Sequence, residues 1–161
     1  MKRLTLLLCA CVTLHLACGN AAEKAPAAEK RLTAVAEAVK ALRKVEAATQ
    51  VGSTQQQYSQ LVIDAKAQVN EASRLLPEGE LKSELGRAVD AYADAVALWD
   101  QYVVKAETPL GRKLIERYGA EEKKFPTAPP LVMDRDGFNR RVWAVAGKHL
   151  ERADALYKGQ S

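Results

Sequence analysis

Cysteine is confined to one end of this chain. Of 161 residues only Cys9, Cys11 and Cys18 carry a thiol, so the sequence beyond them can form neither an internal disulfide nor a thiolate metal site. Histidine is nearly as scarce, with His15 and His149 alone. That excludes a Cys-x-x-Cys-His haem attachment, a His-Glu-x-x-His zinc motif and the paired Glu-x-x-His of di-metal bundles. No Gly-rich phosphate loop and no serine elbow occurs either. With 9 glycines, 6 prolines and 6% aromatic residues, turn punctuation is sparse. No segment alternates in the manner of a strand, and no internal repeat is evident. What is abundant is Ala, Glu, Lys and Leu, within 48% hydrophobic and 27% charged residues, a balance that favours a globular all-α protein. The length suits one domain.

The first residues have the layout of an export signal. Met1, Lys2 and Arg3 supply positive charge, and Leu4 to Ala17 is a 14-residue uncharged stretch, too short to remain as a bilayer span. The following Leu16-Ala17-Cys18-Gly19-Asn20 resembles the lipobox of bacterial lipoproteins. The resemblance implies that Cys18 is acylated, palmitate included, and becomes the mature N-terminus. Three places before it the family carries an aliphatic residue, where this chain has His15. Leu8-Cys9-Ala10-Cys11 is the alternative box, which makes Cys11 the acylated residue but shortens the apolar region to Leu4–Ala10. Ordinary cleavage near Ala21 or Ala22 would instead give a soluble periplasmic product. Gly19, rather than Asp, after the cysteine implies by the family's sorting habit an outer-membrane lipoprotein facing the periplasm.

These readings divide the chain into a signal peptide over 1–17, a lipidated cysteine with flexible tether over 18–29, and a helical domain over 30–158. The tether has no large apolar side chain and would reach about 35 Å fully extended. Without Lys2 and Arg3 the basic count falls from 24 to 22 against 20 acids, so the mature charge is near +2, and its excess lies in the C-terminal third. Nucleic acid is not an expected partner outside the cytoplasm.

Apolar residues step by three and four through the rest. Leu32, Val35, Val39 and Leu42 predict a helix over about 30–50, stopped by Gly52. Thr54 with Gln57 reads as a capping box. Tyr58, Val62, Ala65, Val69, Ala72 and Leu76 then form a heptad seam closed by Pro77-Glu78-Gly79. A third seam, Leu81, Leu85, Ala88, Tyr92, Ala95, Trp99 and Tyr102, is widened by Val89, Val96 and Val103, with Ala91 and Leu98 on the other flank. That breadth predicts the most buried helix. Thr108-Pro109 begins a short fourth segment ending at Gly119, and Phe125–Pro130 reads as a stiff crossover. A last helix from about Asp136 to Tyr157 carries Val142, Ala146, His149, Ala153 and Leu156. The expected architecture is an antiparallel four-helix bundle with an extra short helix and a Pro-rich crossover before the last helix. The stretch from Tyr58 to Ala72, with Leu76-Pro77-Glu78-Gly79-Glu80-Leu81, resembles uncharacterised bacterial helical proteins and implies no function.

Few residues are candidates for chemistry. His149 falls within an apolar arc, where it can serve as an axial ligand or proton switch, or sit as a core histidine bonded to a tyrosine or backbone carbonyl. Trp99, Tyr92 and Trp143, with Tyr102 and Tyr157, can line a ligand pocket or simply pack. Asp90 and Asp94 lie one turn apart opposite the Tyr92–Trp99 seam, which reads as a solvated face. Arg141, Lys148 and Arg152 on the last helix, with Arg112, Lys113 and Arg117 on the short one, form a candidate face for anionic lipid or an acidic partner, or an ordinary wet surface. No catalytic set, cofactor or metal is called for. The reading is a non-enzymatic envelope lipoprotein, attached to the membrane by its lipid, whose bundle serves as an interaction or scaffolding module for a protein or envelope component. The alternative is a small-ligand or haem-binding bundle built on the aromatic interior and His149.

Overall fold

Thr54 opens a helix as its spacing to Gln57 requires. In the computed structural model of the chain the Gln57 N–H donates to Thr54 Oγ1 (3.2 Å) and the Thr54 N–H donates to Gln57 Oε1 (3.1 Å). Two otherwise orphaned donors are thus satisfied reciprocally. The structure describes residues 24–99, 101, 103–105, 107–118 and 132–159. In chain order these form α1 (Lys24–Val51), α2 (Gln55–Leu75), α3 (Glu80–Leu98), β1 (Val103–Lys105), α4 (Pro109–Tyr118), β2 (Val132–Asp134) and α5 (Arg135–Lys158). The signal segment, Cys11, Cys18, Tyr102 and the Pro-rich crossover lie outside the described residues.

Helix α1 starts earlier than its apolar stepping suggests. Residues 24–29, expected as part of a flexible tether, are helical. Alanine, lysine and glutamate are strong helix formers, and Pro26 is tolerated in a first turn because its missing N–H has no intrahelical acceptor there. At the other end Gly52 takes φ +83°, a left-handed conformation that ends the helix at little cost only for glycine. The Thr108 start of α4 is formed as expected: Gly111 N–H donates to Thr108 Oγ1 at 3.0 Å, and Pro109 is the first helical residue. Helix α5 begins at Arg135, so Asp136 sits inside its first turn rather than capping it.

The expectation of no strand is corrected by a short ribbon. β1 and β2 pair antiparallel, with Val103 opposite Asp134, Val104 opposite Met133 and Lys105 opposite Val132. Three residues are too few for alternation to be read from sequence, and the pairing is set by segments that α4 and a long connection separate.

The helical faces meet in one core, and no helix among the described residues is long and apolar enough to cross a membrane. The seam Tyr58, Val62, Ala65, Val69, Ala72 and Leu76 is buried throughout, and faces Val35, Val39, Leu42 and Val45 of α1. Helix α3 contributes the most buried side chains, among them Leu85, Ala88, Tyr92 and Ala95. Its longest packing is against α5, where Phe138, Val142, Ala146, Leu150 and Ala153 are buried. Helices α1 and α2 form the other main pair, and the α2–α3 and α1–α5 contacts join the two. Full burial of each leucine or valine here stabilises by about 1.5–3 kcal/mol. The small residues Ala88, Ala95 and Ala146 let the axes approach.

Candidate functional site

The broad stripe of α3 has an edge, and the edge carries acids. At about 100° per residue, Glu84 lies beside Ala91 and Asp94 lies roughly 40° beyond Leu98. Helix α4 covers that edge. Asp94, expected on a solvated face, is in fact buried at 9% exposure, because Arg117 Nη1 (2.6 Å) and the Tyr118 hydroxyl (2.8 Å) both donate to its Oδ2. Lys113 approaches the other oxygen at 3.7 Å. A buried carboxylate needs such partners. Burial, and then the bond to Asp94, push the Tyr118 phenol well above its ordinary range. Asp90, one turn earlier, is exposed as expected and has no hydrogen-bond or ion-pair partner among the described residues.

Glu84 is the second buried acid, at 7% exposure. Its Oε2 is 2.6 Å from His149 Nδ1 on α5, and Arg87 Nη1 donates to its Oε1 at 3.1 Å. The histidine's partner is therefore a carboxylate, not the tyrosine or backbone carbonyl expected, and the ring keeps 27% side-chain exposure rather than lying inside the core. Because a carboxylate only accepts, Nδ1 carries the hydrogen and Nε2 is the ring nitrogen left available.

Between the two acids lies a half-open cleft of about 380 Å³. Arg87, Asp90 and Ala91 of α3 form one wall, Arg117 and Tyr118 of α4 another, and Val145 and His149 of α5 the third. Each guanidinium spends one nitrogen on its carboxylate, Arg87 on Glu84 and Arg117 on Asp94. Their side chains remain 62% and 44% exposed, so further donors face solvent. The cleft thus offers two guanidiniums, an imidazole nitrogen and an uncommitted carboxylate beside the apolar side chains of Ala91 and Val145. Among the described residues no group of three or more histidines, cysteines or acids is placed to hold a metal ion.

The other expected site residues go elsewhere. Trp99 and Trp143 flank Tyr58, with ring centroids at 5.4 and 6.1 Å. Trp143 Nε1 donates to the Tyr58 hydroxyl (3.0 Å), which donates to the Tyr92 carbonyl (3.2 Å). Burial pushes the Tyr58 and Tyr92 phenols up, so both stay neutral. Tyr92 is 1% exposed, its hydroxyl has no hydrogen-bond partner among the described residues, and none of these four aromatic residues lines the cleft. Nor do the six basic residues form one face. Arg117 and Lys113 turn to Asp94, Arg152 Nη2 pairs with Glu80 of α3 at 2.8 Å, Arg141 is half-buried, and Lys148 and Arg112 stand exposed.

Sequence reasoning missed Glu84, Arg87, Tyr118 and Val145. The available signal was an acid inside the apolar stripe of α3, at Leu81, Leu85 and Ala88, in a chain whose last helix carries a histidine on its own apolar arc. The chain matches no protein-family model, no curated protein and no solved structure.

Proposed function

We propose that the chain is a non-enzymatic envelope lipoprotein. Its acylated Cys18, or Cys11, holds it at the outer membrane facing the periplasm, and an antiparallel four-helix bundle with one extra short helix acts as an interaction module for an envelope component. The supporting observations are of two kinds. The signal-like start and the lipobox resemblance speak for the address. The cleft speaks for the contact surface, because charged side chains and His149 from three helices line it together with Ala91 and Val145, whereas Tyr58, Trp99 and Trp143 pack among themselves. That convergence carries the reading.

Intact mass of the protein isolated from its own cells tests the address. Thioether-linked diacylglycerol on Cys18 is expected, and an unmodified terminus at Ala22 overturns it. The contact surface is tested by placing a photo-cross-linking residue at position 87 in cells, with position 70 on the exposed side of α2 as control. Adducts at 87 and not at 70 are expected. Equal labelling at both removes the cleft from the proposal. A visible absorption band on adding haem that disappears in His149→Ala would favour the haem-binding alternative instead.

A further inference from the structure

We infer that the α3–α4–α5 cleft binds a small zwitterion, an amino acid or short peptide bearing a free ammonium and a free carboxylate. The inference rests on the cleft being the contact surface and adds the chemistry of what it contacts. Both signs of charge line the walls. Arg87 and Arg117 offer unspent N–H donors, and His149, also in the lining, has Nε2 left over because Glu84 holds Nδ1. Among the described residues Asp90 is the one acid in the lining, and it has no partner among them although Arg87 stands within one turn of it on the same helix.

This distribution discriminates among ligand classes. A simple anion would find two guanidiniums but would bring Asp90 beside like charge. A simple cation would find Asp90 but meet both arginines. A ligand with both charges gives each a complement, its carboxylate toward the guanidiniums and its ammonium toward Asp90. Glu84 and Asp94 offset part of the charge of Arg87 and Arg117 but do not exhaust them as donors, since each guanidinium spends one nitrogen on its acid and keeps the rest toward solvent. Size agrees as well. About 380 Å³ lies at the lower end of small-molecule sites, and Ala91 and Val145 in the lining suit a short aliphatic side chain.

The test uses the protein purified with the N-terminus it carries in the cell, following its side-chain imidazole and guanidinium NMR signals. The probes are alanine, alanyl-alanine, N-acetyl-alanyl-alanine and alanyl-alaninamide, so that the first two separate an amino acid from a peptide source. Saturable shifts at His149 and Arg87 with alanine or alanyl-alanine are expected. Binding should weaken at least about tenfold when either charge is capped, the effect of losing one charge-assisted contact. Asp90→Asn, at an exposed position without a partner, should keep the fold and abolish the preference for the uncapped amine. Equal binding of the N-acetyl form, unchanged selectivity in Asp90→Asn, or no saturable shift with either zwitterion overturns the inference. Cross-linking at position 87 to an envelope protein, combined with no response to either zwitterion, overturns it while leaving the contact-surface reading in place.

Discussion

Asp94 shows how much a single buried acid changes the meaning of its neighbours. Arg117 and Lys113 look like members of a basic patch in sequence, yet with Asp94 they form an ion cluster that ties α4 to α3. Asp94→Ala should lower stability by about 2 kcal/mol, chiefly by stranding the buried Tyr118 hydroxyl. Arg117→Ala should cost under about 1 kcal/mol, since that partner is half-exposed and its charge is screened. Denaturant midpoints at constant slope measure both, and equal losses would refute the asymmetry. Asp154 gives a pH prediction. Burial opposes its ionisation, but hydrogen bonds from Lys158 and Arg43 outweigh that and hold its carboxyl below its ordinary value of 3.8. The folded value being depressed, the stabilisation is complete above 3.8 and is lost as pH falls through the folded value. The stability gap between the parent protein and Asp154→Asn should therefore hold steady above about pH 5 and shrink as pH falls from there toward about pH 2; a gap that stays constant through that fall would mean that the carboxylate does not gain from its partners. Local pairs of this chain were legible in advance, as Thr54 with Gln57 shows. Glu84 with His149 was not, because it joins residues 65 apart and nothing along one chain specifies which helix edges meet.

At the scale of elements, periodicity located the helices and failed where an element is short or its ends are set by propensity. The seams of α2 and α3 were readable because each three-or-four step from Tyr58 to Leu76 and from Leu81 to Ala95 lands on a residue that is now buried. The start of α1 was not, since Ala, Lys and Glu form helix without an apolar face to announce it. Two glycines make the same contrast testable. Gly86 lies within α3, and a Cβ there would meet no atom within 4 Å. Gly86→Ala should therefore stabilise by about 0.5–1 kcal/mol through restricting the unfolded chain. Gly111 has the opposite role. A Cβ there would run into the carbonyl of Lys105 at the end of β1, so α4 approaches the ribbon as closely as a residue without a side chain allows. Gly111→Ala should destabilise and displace α4. Paired melting curves check this, and a rise for both variants would show that the turn between β1 and α4 yields without cost.

The whole molecule divides unequally between a deep core and a thinly attached cover. Helices α1, α2, α3 and α5 share the apolar interior, while α4 adds only Leu114, Tyr118 and Gly111 to the buried set. Its hold on the rest combines Leu114 and Tyr118 in the core, flanked by Leu110 and Ile115, with the polar ties from Arg117 and Tyr118 to Asp94 and the ribbon beside it. Local opening free energy follows buried contact. Backbone amides of α4 should accordingly exchange with solvent through a sub-global opening, well before those of α3. Asp94→Asn should speed exchange in α4 while leaving the ratio among α1, α2 and α3 unchanged. Since α4 also forms one wall of the cleft, a ligand held between Arg87 and Arg117 should slow exchange in α4 selectively, binding being linked to the closed state. Hydrogen exchange read by mass spectrometry on peptides covering 109–118 decides the matter. Equal protection of α4 and α3, or uniform acceleration of every helix in Asp94→Asn, would show that the short helix belongs to the cooperative core and that the cleft is a fixed feature of it.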